Sequence, residues 1–231
     1  MGETRAVLVV GAGDATGGAI ARRFAREGLV ACVTRRTADK LEPLVARIRS
    51  EGGQAHGFAS DARKEDEVIA LVERIEREVA PLEVAVFNIG ANVRFSVVDT
   101  TERVYRKVWE MGALSGFLMG REVAKAMLPR ARGTILFTGA TASLRGGIGF
   151  SAFAGAKHAL RALAQSMARE LGPKGIHVAH AIIDGAIDTQ FIADNFPERY
   201  ALKASDGILN PRAVPSDARA PNIQHILLSP S

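Results

Sequence analysis

The chain has 231 residues, of which 47% are hydrophobic and 24% are charged, and it carries a formal net charge of +5. This composition is typical of a globular domain, and no apolar run reaches the roughly 18 residues that a membrane-spanning helix needs. Like charges form no block and no basic stripe carries aromatic residues, so nucleic acid is not a predicted partner.

Strands and helices are predicted to alternate along most of the chain. Ala6–Val10 is an apolar run that ends at a glycine, as in a strand buried on both faces of a parallel sheet. Further strands are predicted at 29–33, 55–60, 83–89, 134–138 and 176–183, and helices at 17–27, 37–50, 64–79, 101–128 and 151–171. This alternation predicts a single α/β domain over residues 1–210, a Rossmann-like doubly wound parallel sheet in three layers.

A glycine-rich loop, VGAGDATGG, follows the first strand and opens the first helix. Gly11 and Gly13 allow a tight turn and a close approach of the backbone to a pyrophosphate, which the helix N-terminus also favours. Gly17 allows helix and strand to pack closely. A purely structural turn is the alternative. The loop residues predicted to contact a cofactor are Gly11, Gly13, Asp14, Ala15, Thr16 and Gly17.

The end of the second strand, VACVTRRTADKL, bears on which dinucleotide binds. Thr34 occupies the position where a site for a free ribose usually has an acid. Arg35 and Arg36 follow and suit a 2′-phosphate through forked, charge-assisted hydrogen bonds. Asp14 opposes this, because its charge would repel the phosphate. The sequence favours NADP over NAD, and the alternative is that both arginines are ordinary surface charges.

Over residues 4–210 the chain resembles the short-chain dehydrogenase/reductase family. The resemblance rests on the order and spacing of the glycine loop, Asp61 after the third strand, NIGAN after the fourth, Lys157 in a long helix, and DGAIDT after the sixth strand. It implies a nicotinamide cofactor and hydride transfer to or from carbonyls and alcohols. The further residues that it implies at the cofactor, from the adenine to the nicotinamide, are Asp61, Ala62, Asn88, Gly90, Lys157 and Thr189.

The catalytic positions depart from the family. Its Tyr-x-x-x-Lys motif reads Phe153 to Lys157 here, its serine falls on Ala140, and its asparagine falls on Gly112. Reduction of a carbonyl builds an alkoxide that needs a proton, and phenylalanine cannot supply one. Of the family's four catalytic groups, only the lysine is retained.

Two functions remain open on the sequence. In the first, the protein is an NADP(H)-dependent oxidoreductase on a small alcohol or carbonyl, with Lys157 and the hydroxyl of Thr141 or Ser143 replacing the tyrosine. In the second, it is a catalytically silent dinucleotide-binding homologue that acts by interaction or regulation. Lys157 would then only hold the ribose of the nucleotide.

Glycines recur every four residues in the predicted helix 101–128, at Gly112, Gly116 and Gly120. Each costs a helix about 1 kcal/mol against alanine, so a close contact with another helix is predicted. The resemblance implies a homo-oligomer through this helix, and packing within one chain is the alternative. The histidines are scattered, and no metal site is predicted.

Residues 211–231 break the alternating pattern, since they hold four prolines and show no helical period. We expect an atypical Pro-rich tail, with the family's seventh strand missing or altered and only NIQHILL able to form a short strand. The lone Cys32 cannot form an intrachain disulfide, and MGETR shows no signal pattern, so a cytoplasmic location is expected.

Overall fold

A seven-stranded sheet, in the order β3-β2-β1-β4-β5-β6-β7, forms the centre of the computed structural model. The structure describes residues 3–13, 15–183, 194 and 223–227. The strands are β1 (Ala6–Val10), β2 (Val30–Arg35), β3 (Ala55–Ala59), β4 (Leu82–Phe87), β5 (Gly133–Ala140), β6 (Ile176–Ile183) and β7 (Ile223–Leu227). The helices are α1 (Thr16–Arg26), α2 (Glu42–Ser50), α3 (Glu65–Glu78), α4 (Glu102–Trp109), α5 (Ser115–Met127) and α6 (Ser151–Leu171). Short 3-10 turns lie at Ala38–Leu41, Leu128–Arg130, Thr141–Ser143 and Gly172–Lys174.

The first six strands are parallel, and helices cover both faces. All of β1 is buried, as its uninterrupted apolar sequence predicts. Buried side chains of α3, α5 and α6 form one core with the sheet, and those of α1 and α2 form a second core on the other face. The predicted three-layer, Rossmann-like fold is confirmed.

Strand β1 lies between β2 and β4, so the chain reverses its direction of travel across the sheet beside β1. In doubly wound sheets, ligands bind outside the carboxyl ends of the strands at this reversal. The glycine loop follows β1, and the NIGAN segment follows β4. The fold therefore brings both motifs to one edge of the sheet.

The predicted helix 101–128 contains a π-helical turn, Glu110–Leu114, between α4 and α5. The Ser115 hydroxyl donates a hydrogen bond of 2.5 Å to the carbonyl of Met111, a contact that loosens the regular ladder of a helix. Gly112, at the position of the family's asparagine, lies within this turn. Such turns occur often at functional sites.

The stripe of glycines at Gly112, Gly116 and Gly120 packs against α6 of the same chain. A β-carbon on Gly112 would lie 3.0 Å from that of Ala156, and one on Gly120 would lie 3.0 Å from Met167. Gly116 lies in the same way against Leu160. Packing within one chain thus explains the stripe, which gives no support to a subunit contact.

The edge strand β7 runs antiparallel to β6 and comes from the NIQHILL segment. The seventh strand is therefore not missing, and it differs from the other six in its antiparallel direction. The domain boundary predicted near residue 210 lies outside the described residues. None of the described helices is long and apolar enough to cross a membrane.

Candidate functional site

The glycine loop is held by contacts that leave no room for side chains. Gly11 has a φ of +84°, and a β-carbon there would lie 2.7 Å from the carbonyl oxygen of Asn88. A β-carbon on Gly17 would lie 2.8 Å from the Cα of Ala12, so helix α1 sits directly against the loop. Both positions therefore require glycine.

Gly13 differs from Gly11 and Gly17, because a β-carbon there would meet no atom of the described residues within 4 Å. The same is true of Gly90 after β4. Ala15, the residue before α1, gives no side-chain cap to the helix, and the N–H of Gly18 in its first turn donates to the carbonyl of Gly13 at 2.8 Å. Within the described residues, the N–H groups of Thr16 and Gly17 remain for an anion. The open space at Gly13 and Gly90 and this uncapped N-terminus fit a dinucleotide.

Asn88, in the NIGAN segment after β4, forms hydrogen bonds that connect this segment to the glycine loop after β1. Its backbone N–H donates to the carbonyl of Val10 at 2.8 Å, and its Nδ2 donates to the carbonyl of Gly11 at 3.2 Å. The loop is also held to β2, since the N–H of Ala12 donates to the carbonyl of Thr34 at 3.2 Å. Asp14 and Thr189, two predicted cofactor residues, lie outside the described residues.

The predicted adenine end lies beside the carboxyl ends of β2 and β3. Thr34 is buried, and Arg36 is exposed. The Nη1 atom of Arg35 donates a hydrogen bond of 3.3 Å to the carbonyl of Lys40. The N–H of Ser60 donates to the carbonyl of Arg35 at 3.0 Å, which places Asp61 next to the arginine pair.

Asp61 is engaged by a residue that the sequence reading did not single out. Arg63 donates to both carboxylate oxygens, through Nε to Oδ1 at 2.9 Å and through Nη2 to Oδ2. These hydrogen bonds are the main reason that the pKa of Asp61 falls to about 2. Ala62 lies buried between the two.

Lys157 reaches the same edge of the sheet from α6. Its side chain is 3% exposed, and Nζ donates to the carbonyl oxygens of Ile89 at 3.2 Å and Thr138 at 2.8 Å. Burial penalises the ammonium and lowers the pKa of Lys157 to about 8. The ring of Phe153 lies one turn before it, with its centroid 5.8 Å from Nζ.

Phe153 packs in a small apolar cluster between α4 and α6, with Ala91, Val93 and Met111 among its members.

The hydroxyl groups of Ser143 and Thr141, near Lys157 in the fold, differ in their burial. Ser143 has no exposed surface, and its Oγ accepts a hydrogen bond of 3.2 Å from the N–H of Ala140. Thr141 is half-buried.

The hydroxyl of Tyr105 also approaches α6, where it would lie 2.9 Å from a β-carbon on Gly155. Gly155 is two residues from both Phe153 and Lys157, which places it about 200° from each around the helix. The tyrosine is therefore on the other side of α6 from Lys157 and does not replace the missing donor.

His180 on β6 is a second polar group that the sequence reading missed. It is 3% exposed, and within the described residues neither ring nitrogen has a hydrogen-bond partner. Its ring lies over Gly139, where a β-carbon would be 2.5 Å from Nε2. Burial, and then the charges of Lys157 and Arg161, lower the pKa of His180 to about 4. No sequence pattern marks this contact, because it joins neighbouring strands.

The comparisons with known proteins agree with this geometry. Residues 5–199 match the short chain dehydrogenase family model. The chain is 30% identical over 172 residues to the 2-dehydro-3-deoxy-D-gluconate 5-dehydrogenase of Formosa agariphila, a match that covers 74% of this chain and 65% of that protein.

Two solved structures extend the agreement. A short-chain dehydrogenase from Rhodopseudomonas palustris is 50% identical, with a TM-score of 0.74 over 93% of this chain and 94% of the other. A variant of the actinorhodin polyketide ketoreductase, solved with NADPH, is 26% identical, with a TM-score of 0.79 over 91% of this chain and 80% of the other. With its glycine loop, Asn88 and Lys157 on one edge of a doubly wound sheet, the chain belongs to the short-chain dehydrogenase family.

Proposed function

We propose that the protein binds NADP(H) and reduces or oxidises a small carbonyl or alcohol, with Lys157 in place of the family's tyrosine as the source of the proton. The observation that carries this proposal is the burial of Lys157, which brings its pKa to about 8. A general acid works best when its pKa lies near the working pH. An exposed lysine, with a pKa near 10.5, would release its proton far less readily.

The cofactor would lie along the edge already described. The pyrophosphate would meet the first turn of α1 and the backbone at Gly13. Arg35 and Arg36 would hold a ribose 2′-phosphate, and Asp61 would accept a hydrogen bond from adenine. Bound NADPH would supply the hydride, and the actinorhodin ketoreductase with NADPH is a relative of that kind.

The side chain of Lys157 can donate a proton while its hydrogen bonds keep Nζ in position. Two of its three N–H groups are taken by the carbonyls of Ile89 and Thr138. The third N–H remains for a ribose hydroxyl, for a hydroxyl such as that of Thr141, or for the substrate oxygen. The neutral amine left after donation is the form that the buried position favours.

Carbonyl reduction by the purified protein tests this proposal. We expect NADPH oxidation with at least one member of a panel of small aldehydes and ketones, and we expect Lys157→Met to abolish it. Tight NADPH binding without turnover on the whole panel would support a silent homologue, the alternative open on the sequence.

A homo-oligomer through helices α4 and α5 is a further part of the proposal. Their outer side carries Tyr105, Trp109 and Phe117, each more than 40% exposed. A groove of about 710 Å³ beside them is lined by Val97, Tyr105 and Trp109 among others. Exposed apolar surface of this kind often marks a protein interface. Light scattering should give a dimer or larger, and Trp109→Glu should shift it towards a monomer.

A further inference from the structure

The contact between Arg63 and Asp61 is more than a surface ion pair. Three donors of Arg63 reach the carboxylate, because its backbone N–H also donates to Oδ1 at 3.2 Å. The side chains are 27% and 15% exposed, so both are partly withdrawn from solvent. A forked, charge-assisted contact of this kind fixes the orientation of both groups.

The pair of Arg63 and Asp61 lies near the predicted position of a bound nucleotide. Asp61 follows β3, whose end pairs with the end of β2 through Arg35 and Ala59. The charge of Arg36 is near enough to contribute to the lowered pKa of Asp61. The pair therefore lies beside the two arginines that would hold a 2′-phosphate.

Asp61 on its own would work against such a phosphate, because two negative charges would face each other. Arg63 removes that conflict, since its guanidinium carries the opposite charge and contacts both oxygens. Oδ1 already accepts two hydrogen bonds from Arg63 and Oδ2 accepts one, so Oδ2 keeps a lone pair for a donor such as an adenine amino group. Asp61 can thus accept from the base without repelling the phosphate.

We propose that Arg63 is a specificity-determining residue, which neutralises Asp61 and, together with Arg35 and Arg36, makes the site prefer a ribose 2′-phosphate to a free 2′-hydroxyl. This inference rests on the proposed binding of NADP(H). The other charges around the pair are Glu110, which faces Arg63, and Glu67, which accepts from the N–H of Asp61 and is paired with Lys64. Neither glutamate contacts the carboxylate of Asp61, so Arg63, which hydrogen-bonds to both of its oxygens, is the main neutralising group, and Arg36 adds a smaller charge interaction.

A purely structural role for Arg63 predicts something different. The contact joins the end of β3 to the start of α3, and its loss would loosen that turn for every ligand. A structural defect would weaken the binding of nucleotides with and without the 2′-phosphate alike. If the role is electrostatic, loss of Arg63 weakens only the binding of nucleotides that carry the 2′-phosphate.

Calorimetric titration with 2′,5′-ADP and with 5′-AMP separates the two roles without any measurement of turnover. For Arg63→Met we expect roughly tenfold weaker binding of 2′,5′-ADP, because the unneutralised carboxylate of Asp61 would repel the 2′-phosphate, and little change for 5′-AMP. Arg63→Lys should recover part of the preference, because it restores the charge without the fork. Arg77→Met is the matched control, since it removes an equal charge from an exposed site on α3.

Each outcome decides the matter. Equal weakening of both nucleotides in Arg63→Met, or no weakening of either, would overturn the role of Arg63 while leaving NADP binding intact. A wild-type protein that binds 5′-AMP as tightly as 2′,5′-ADP, or that binds neither, would overturn the proposed NADP preference and this inference with it. Retained binding of 5′-AMP by the variant also shows that it is folded.

Discussion

The glycine loop beside β1 and the α6 helix beside β5 line the same edge of the sheet, yet they differ in how much of the family's chemistry they keep. The loop keeps the glycines that its packing requires, and Asn88 still ties it to β4. At α6 the tyrosine is Phe153, and Ala140 replaces the serine, so only Lys157 keeps its polar group. In the proposed function the two regions have separable roles, because holding a nucleotide needs backbone shape, whereas moving a proton needs a titratable group in place.

Loss of Lys157 should have the largest effect. Lys157→Met removes the proposed proton donor, and the loss of a positioned acid costs about 10²- to 10⁴-fold in rate. In the wild type, carbonyl reduction should fall as the pH rises through about 8, where the pKa of Lys157 lies and the acid form is lost. Steady-state rates from pH 6 to 10 check both points, with exposed Lys174→Met as the control. A rate independent of pH across this range would contradict the role of Lys157.

Burial of Lys157 should also make the free energy of unfolding depend on pH. Its pKa is about 8 in the folded chain and about 10.5 when exposed, so the unfolded chain binds more protons between these values. The penalty of burying the charge is full below pH 8 and is relieved as the pH rises to 10.5. Relative to Lys157→Met, the wild type should therefore gain up to about 3 kcal/mol over that window. Denaturant unfolding of both proteins at pH 7 and pH 10 measures the difference.

Substitutions in the loop should separate packing from binding. Gly17→Ala forces a β-carbon against Ala12 and the carbonyl of Gly11, which should cost about 1–3 kcal/mol and weaken NADPH binding at least tenfold. Gly13→Ala meets only open space, so it should leave the melting temperature unchanged and still weaken binding. Thermal melts and fluorescence titrations check the pair. Unchanged binding in Gly13→Ala would show that the open space at Gly13 does not face the nucleotide.

Restoring the family's groups should raise activity more modestly. Phe153→Tyr with Ala140→Ser places a hydroxyl beside Lys157, whose Nζ lies 5.8 Å from the centre of the present ring. We expect roughly a tenfold gain in carbonyl reduction, less than the roughly 10²-fold of a positioned acid, because Lys157 already supplies a proton in the proposed function. Phe153→Tyr alone is the comparison. An unchanged rate in the double variant would mean that the site has been rebuilt for different chemistry.

The smallest effect should come from His180. Its ring nitrogens are buried and unpaired within the described part of the chain, and an unsatisfied buried polar group costs about 1–3 kcal/mol. His180→Phe should stabilise the protein by an amount in that range. With a pKa of about 4 in the folded chain and about 6.5 when exposed, His180 also destabilises the fold as the pH falls below 6.5. That part of the acid sensitivity should disappear in the variant, and urea unfolding at pH 7 and pH 5 tests it.

The elements of the fold could be predicted because they follow from local patterns, whereas the cofactor contacts expected along the sheet edge stay a prediction. An apolar run followed by a glycine loop predicts a buried strand and a phosphate-binding turn, as at Ala6–Val10 and Gly11. The contact of His180 with Gly139 joins two strands that are far apart in sequence. The π-helical turn at Gly112 is accompanied by a hydrogen bond from Ser115, and no periodicity in the sequence encodes either. Such contacts depend on which elements become neighbours, so sequence spacing alone did not reveal them.

The most direct test of the account is a fluorescence titration of the purified protein with NADPH and with NADH. Although Val10 and Ala15 stand where the family's loop has threonine and its middle glycine, the glycine loop and the arginines at the end of β2 predict micromolar binding of NADPH and clearly weaker binding of NADH. Absence of binding for both cofactors would contradict the claim that the loop edge has kept its function while the catalytic positions have changed.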